Sequence, residues 1–202
     1  MSTFLGLDIG YSNTIGTFGD GVGQSESFVR PSQAAPLASI PGDSGLRAGE
    51  VLVDVNGEPW VAFAAPGRVQ EGRELHEDYT SSEAYQALFK ASLLHAAGSG
   101  DVIDVLVTGL PVTQARDESY VKALVETMTG THRISSKREV TVKSVVVVAQ
   151  PIGTLTDIYC TSDSADVVEE SVSLVLDSSV WIGFYLITVN WLRSQALVAL
   201  KQ

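Results

Sequence analysis

The chain has 202 residues, of which 45% are hydrophobic, 18% are charged and one is a cysteine, and its formal net charge is −11. These values are typical of a folded soluble protein, exclude an internal disulfide, and argue against direct contact with nucleic acid or an anionic membrane. The start of the chain lacks the basic and then apolar layout of a signal peptide, and with the single cysteine this predicts a cytoplasmic protein. The uncharged stretch 180–189 is shorter than the roughly 20 apolar residues of a membrane span, so we expect a buried strand there.

A strand over 3–9, a tight turn and a returning strand over 14–18 open the chain. Gly10 permits a sharp turn, and short polar side chains after it, with accessible backbone N–H groups, suit a phosphate. Asp8 suits a hydrated Mg²⁺ ion, which takes one or two carboxylates. The same pattern also fits a plain β-hairpin whose Asp and Asn only form the turn. The residues alone leave both interpretations open.

A third strand over 25–30 extends the antiparallel meander, and we predict a loop over 31–49, which is rich in Pro, Ser, Gly and Ala. Asn56 and Gly57 stand between alternating apolar runs, which predicts a hairpin. We therefore expect residues 31–75 to form a small lobe inserted in the main domain.

The remaining predicted elements follow from apolar periodicity and from capping residues. In chain order they are a helix over 80–97 capped by Ser81 or Ser82, a buried strand over 101–108 closed by Gly109, Leu110 and Pro111, a helix over 114–128 capped by Thr113, a central strand over 140–149, short helices within 152–170, a strand over 172–176 ending in Asp177, an antiparallel return over 180–189, and a terminal helix over 191–200.

This order of elements resembles the first half of the actin superfamily, and in particular the plasmid-segregation actins of the ParM/StbA type. Four stretches carry the resemblance: 7–14, 107–111, 145–150 and 175–177. The resemblance implies an α/β, ribonuclease-H-like (actin-like ATPase) domain with a mixed five-stranded sheet, flanking helices and a small inserted β-lobe. It places this N-terminal domain at 1–170 and the start of an incomplete second domain at 171–202.

The resemblance also implies roles for individual residues, with ATP or ADP and Mg²⁺ as cofactors. Asp8 would lie near the metal through water, and Asp177 would be the second carboxylate there. Gln150 would orient the attacking water, which suits phosphoryl transfer because that reaction depends on positioning and charge neutralisation. The residues expected to contact the phosphates are Gly10, Tyr11, Ser12, Asn13 and Thr14.

The second phosphate loop departs from the family pattern, because Ser178, Ser179, Val180 and Trp181 stand where glycines and a small hydroxyl residue are expected. The part that grips the adenosine in the family has no counterpart here. We therefore expect a truncated or frame-altered chain with little or no ATPase activity. The expected partners are further copies of the chain, in an oligomer or filament, and a DNA-bound adaptor protein.

The sequence is also compatible with two other functions. The first is a small-molecule kinase of the same superfamily, whose catalytic base would have to be Asp101 or Asp104, although neither lies at the C-terminal end of its predicted strand. The second is a non-catalytic module that self-associates through the apolar sheet at 172–189.

Overall fold

The computed structural model describes residues 3–20, 23, 25–40, 45–69 and 79–150, together with the backbone of two later strands. The chain divides into two units: Met1–Thr108 with Leu124–Val145, and Gly109–Ala123 with Val146–Gln202. The elements in chain order are β1 Phe4–Ile9, β2 Asn13–Gly19, β3 Ser25–Pro31, β4 Ala34–Pro36, β5 Val51–Val55, β6 Glu58–Ala62, α1 Glu83–Ala97, β7 Val102–Leu110, α2 Val112–Ala115, α3 Glu118–Met128, β8 Gly130–Ser135, β9 Arg138–Ala149, β10 Val172–Leu176 and β11 Phe184–Thr188.

The main sheet has six strands in the order β3-β2-β1-β7-β9-β8. β1 pairs antiparallel with β2 and parallel with β7, and β2 pairs antiparallel with β3. Burial alternates along β1, where Leu5, Leu7 and Ile9 are buried and the residues between them are exposed. The predicted mixed α/β sheet is confirmed, with β8 as a sixth strand at its edge that the sequence pattern did not indicate.

α1 packs against β1, β2 and β5. The Ser82 hydroxyl accepts a hydrogen bond of 3.1 Å from the backbone N–H of Tyr85, as expected of a helix N-cap. At the other end, the Arg138 guanidinium donates to the carbonyl oxygens of Gly98 and Gly100 at 2.7 and 2.6 Å. A cation therefore covers carbonyl groups at the C-terminus of α1, where positive charge is favourable.

A separate three-stranded sheet has the order β4-β6-β5. The predicted hairpin between β5 and β6 is confirmed: Asn56 and Gly57 have φ values of 53° and 90°, as a tight hairpin turn requires. The prediction that 31–49 is a loop was wrong at β4, which pairs Ala35 with Val61. Ala35 is buried there with Ile40 and other residues of a small core.

The predicted helix over 114–128 is interrupted. α2 ends at Ala115 and α3 begins at Glu118. The carboxylate of Asp117 accepts hydrogen bonds from the backbone N–H groups of Ser119 and Tyr120 at 2.9 and 3.2 Å. Asp117, and not Thr113, therefore caps the longer helix.

β10 and β11 form an antiparallel pair, as predicted, with Val172 opposite Thr188 and Leu176 opposite Phe184. The helices predicted within 152–170 and over 191–200, and the residues 177–181, lie outside the described residues. In the part of the chain that the structure describes, no helix combines the length and the apolar character that a membrane crossing requires.

Candidate phosphate-binding turn

The turn after β1 is closed by its own backbone. The N–H of Gly10 donates to the carbonyl of Asn13 at 3.0 Å, and the carbonyl of Ser12 accepts from the N–H of Ser32 at 3.0 Å. Gly10 does not have a positive φ. A Cβ atom at Gly10 would stand 3.2 Å from the carbonyl oxygen of Asn13, so a side chain there would crowd the turn.

The side chains of Asp8, Ser12 and Asn13 are exposed, whereas Tyr11 is half-buried. Thr14 is fully buried, and its hydroxyl is 2.9 Å from the hydroxyl of Ser32. The Thr14 side chain therefore anchors the turn to the chain just after β3. Only the backbone of Thr14 could then contact a ligand.

Tyr11 connects the turn to the beginning of α1 through a series of aromatic contacts. Its ring centroid lies 4.9 Å from that of Tyr79, and the Tyr79 centroid lies 5.3 Å from that of Tyr85 in an edge-on arrangement. Such pairs stabilise a defined ring orientation. Tyr79 was not singled out from the sequence, because only the folded chain brings it beside the turn.

Thr108 fixes the strand that leads into the turn. Its buried hydroxyl donates a hydrogen bond of 2.9 Å to the carbonyl of Leu7, the residue before Asp8. This bond ties β7 to β1 where the two strands run parallel. Thr108 belongs to the predicted stretch 107–111, but its role in holding β1 requires the strand pairing to be known.

Gln150 belongs to the second unit and directly follows β9. It is half-buried and packs closely on Gly109: a Cβ atom at Gly109 would stand 2.8 Å from Cγ of Gln150. Asp8 and the turn belong to the first unit, and Asp177 lies outside the described residues. The predicted meeting of Asp8, Gln150 and Asp177 around a nucleotide stays a prediction.

Residues 6–153, most of the chain, match the family model of the N-terminal domain of actin-like proteins. The chain belongs to the actin-like protein family. No curated protein is significantly similar in sequence.

Solved structures with the same fold include other actin-like proteins. Alp7A is 16% identical, with a TM-score of 0.60 over 88% of this chain. AlfA from B. subtilis plasmid pLS32, solved as a filament, is 20% identical, with a TM-score of 0.59 over 93% of this chain. The archaeal actin homologue Ta0583, solved in complex with ADP, is 18% identical, with a TM-score of 0.57 over 88% of this chain. The matches cover 54% of Alp7A, 68% of AlfA and 52% of Ta0583, so this chain spans between about half and two thirds of their lengths. At these identities the similarity establishes the actin-like fold, which confirms the predicted fold class.

Among the described residues of this actin-like chain, no group of three or more His, Cys, Asp or Glu side chains is arranged to hold a metal ion. A hydrated Mg²⁺ ion needs fewer protein ligands, because it keeps most of its waters. The exposed carboxylate of Asp8, next to a turn with exposed hydroxyl and amide groups, has the oxygen donors that suit such an ion beside a phosphate.

Proposed function

We propose that this chain is the nucleotide-binding N-terminal part of an actin-like plasmid-segregation protein, and that the turn at 10–13 receives the terminal phosphates of ATP or ADP. The observation that carries the proposal is the closed turn itself, with the Gly10 to Asn13 hydrogen bond of 3.0 Å at the end of β1. Similar folds in a plasmid-encoded protein, AlfA, and in an ADP complex, Ta0583, support it.

The residues of the turn have distinct parts in this proposal. Ser12 and Asn13 offer the hydroxyl and amide groups of their exposed side chains to the phosphate oxygens. Asp8 accepts hydrogen bonds from the waters of a Mg²⁺ ion, whose charge offsets that of the phosphates. Thr14 and Tyr11 keep the turn in shape through Ser32 and Tyr79.

Gln150 is the residue proposed to orient water toward the terminal phosphate, with Asp177 as a second carboxylate near the metal. The loop after Asp177 carries Ser178, Ser179 and Val180 in place of glycines. Backbone N–H groups approach phosphates closely where glycine is present. We therefore propose weak nucleotide binding and little or no ATPase activity for this chain.

Asp101 and Asp104, either of which could be the base of a small-molecule kinase, both bind other residues of the chain. Asp104 accepts from the backbone N–H of Thr3 and from Lys143 at 2.8 and 2.7 Å, and Asp101 pairs with Arg138 at 3.4 Å. The Lys143 and Thr3 hydrogen bonds lower the pKa of Asp104, which makes it a weaker base. Since β1 and β7 are parallel with Phe4 opposite Val105, Asp104 is level with Thr3, about five residues or roughly 16 Å along the strand from Asp8.

Self-association is part of the proposal, because the structures of AlfA and Alp12 were solved as filaments. We propose that this chain forms oligomers or filaments in the cytoplasm and is linked to plasmid DNA by an adaptor protein, in keeping with its net charge of −11. The assignment of 1–170 as the N-terminal domain, with its lobe at 31–75, and of 171–202 as the start of a second domain belongs to the same proposal.

Titration calorimetry with ATP and with ADP, each with and without Mg²⁺, tests nucleotide binding. We expect binding that strengthens with Mg²⁺, and we expect Asp8→Ala to weaken the Mg²⁺-dependent part by about tenfold or more. Glu58→Ala, at an exposed position on β6, is the matched control and should bind as the unaltered chain does. No heat of binding for either nucleotide, or equal affinities for the unaltered chain and Asp8→Ala, would overturn the proposal.

A further inference from the structure

β3 forms one edge of the main sheet and, in the part of the chain that the structure describes, pairs with β2 alone. The β2–β3 register runs without a break from Asn13 opposite Pro31 to Gly19 opposite Ser25. The hydrogen bond from Ser32 N–H to Ser12 C=O continues this ladder by one pair. Because backbone groups alternate in direction along a strand, the even-numbered residues of β3 face β2. The N–H and C=O groups of Ser25, Ser27 and Val29 therefore face the open edge.

The side chains of β3 are compatible with a further strand pairing along this open edge. Val29 is 58% exposed, more than the other large hydrophobic side chains of the described residues. The Arg30 guanidinium donates a hydrogen bond of 3.0 Å to the Val29 carbonyl, as expected for a carbonyl outside the ladder. Glu26 and Arg30 carry opposite charges and stand at equal distances on either side of Phe28.

We propose that β3 pairs antiparallel with β3 of a second copy of the chain, about a two-fold axis at Phe28. In this register Glu26 of each copy stands opposite Arg30 of the other copy. These are positions without ladder hydrogen bonds, where opposing side chains are closest, so the charges attract most strongly there. Ser27 and Val29 of the two copies exchange backbone hydrogen bonds, and Ser25 N–H donates to Pro31 C=O, which gives about six new bonds.

The charges favour this register over the one with its axis at Val29. Shifting the axis to Val29 places Arg30 opposite Phe28, separates Arg30 from Glu26, and sets Ser27 opposite Pro31, which has no N–H to donate. Two chains that each have a net charge of −11 repel one another. Two attractive cross-strand charge pairs at the contact therefore favour association by offsetting part of this repulsion. This pairing does not depend on nucleotide binding.

Sedimentation velocity on the full chain, over a range of concentrations and without nucleotide or divalent ions, tests the proposal. We expect a reversible dimer. Glu26→Arg places like charges opposite one another at two positions and should weaken the dimer about tenfold or more. The exchanged variant Glu26→Arg/Arg30→Glu restores both pairs and should restore the dimer. Glu58→Arg makes the same charge change on another strand and should leave association unchanged.

Hydrogen exchange provides a readout at the edge itself. The amide protons of Ser27 and Val29 should exchange more slowly as the chain concentration rises, whereas the exchange of those of Glu26 and Phe28, which face β2, should not change. Denaturation midpoints of all variants check that each is folded. A monomer at every concentration, a dimer that Glu26→Arg does not weaken, or an exchanged variant that stays monomeric would overturn the proposal.

Discussion

Gln150 lies so close to Gly109 that a Cβ atom added at Gly109 would stand 2.8 Å from Cγ of Gln150 and 3.5 Å from its Cα. Real Cβ atoms do not approach side-chain carbons so closely, so one of the two residues would have to move. Glycine at this end of β7 therefore leaves the space that the Gln150 side chain occupies.

Gly109→Ala should displace the Gln150 side chain. If Gln150 orients water, this variant should lower the single-turnover rate of phosphate release by about 10- to 100-fold and leave nucleotide affinity unchanged. Gln150→Ala should have a similar effect, and the double variant should be no slower than either single variant, because both changes remove the same group. The NMR signal of the Gln150 side-chain amide should shift in Gly109→Ala even where turnover is too slow to measure. An unshifted signal contradicts the prediction.

Much of the fold could be predicted because its signals are local. Asn56 and Gly57 are the residues that a tight hairpin prefers, and both have the positive φ that the turn demands. The Ser82 hydroxyl caps the start of α1, and Gly98, which has no side chain and a φ of 53°, follows its end, as these two residue types predict. The turn after β1 likewise follows from its own residues, and the backbone of Gly10 and Asn13 closes it.

The elements that were missed depend on tertiary contacts. β8 has one fully buried hydrophobic residue, Ile134, so its sequence lacks the alternation that indicates a strand, and its pairing with β9 defines it. β4 lies in a Pro-rich segment and exists because it pairs with β6. The sequence pattern predicted Thr113 as the cap because it directly precedes the expected start of the helix at 114, whereas the longer helix begins at Glu118 after Asp117.

The candidate site shows the same division. The location of Asp8 on β1, beside the turn, was predicted from the order of residues in the chain, and its role as a ligand stays a prediction. The burial of Thr14 against Ser32, the stacking of Tyr11 on Tyr79 and the bond from Thr108 to β1 join residues far apart in the sequence. No single-sequence pattern contains such contacts, because they arise from strand pairing and helix docking.

Gly16→Ala should destabilise the fold. A Cβ atom at Gly16 would stand 2.3 and 2.4 Å from two ring carbons of Phe28, and that ring already contacts the rings of Phe63 and His95 at centroid distances of 6.2 and 4.5 Å. Overpacking of this kind costs about 1–3 kcal/mol in the free energy of unfolding, measured by chemical denaturation.

Gly6→Ala is the matched control for this change, since its Cβ would stand 3.7 Å from the nearest backbone oxygen in ordinary contact. It should change stability by less than about 0.5 kcal/mol. Equal effects of the two substitutions would contradict the steric explanation.

Removing one hydroxyl of the Thr14–Ser32 pair should loosen the phosphate turn. Thr14→Val leaves the buried Ser32 hydroxyl without this partner, which costs about 1–3 kcal/mol. The double variant Thr14→Val/Ser32→Ala removes both polar groups and should recover part of the loss. Thermal denaturation measures the stability, and calorimetry with Mg²⁺-ATP should show weaker binding in Thr14→Val. A single variant as stable as the unaltered chain would show that the pair does not anchor the turn.

The free energy of unfolding should decrease at acid pH because the Glu50 carboxylate, which is buried against Arg68, becomes protonated. Burial by itself raises the pKa of this carboxyl, but hydrogen bonds from the Arg47 N–H, from Arg68 and from the Ala65 N–H outweigh it and hold the pKa below its ordinary value of 4.5. A carboxyl whose pKa is lowered by folding takes up a proton more readily when the chain unfolds. Glu50 therefore stabilises the fold above pH 4.5, and this contribution disappears as the pH falls through the lower pKa of the folded chain.

Glu50→Gln should remove this part of the pH dependence and lower the free energy of unfolding at neutral pH by about 3–5 kcal/mol, because it leaves the Arg68 charge buried without its counter-charge. Glu58→Gln, on the exposed start of β6, is the control and should change stability by less than about 0.5 kcal/mol. Replacing both partners, in Glu50→Met/Arg68→Met, should cost less than Glu50→Gln alone, since no buried charge remains. Urea denaturation at a series of pH values measures all four chains, and a Glu50→Gln variant with the pH dependence of the unaltered chain would show that the carboxyl does not titrate as its contacts imply.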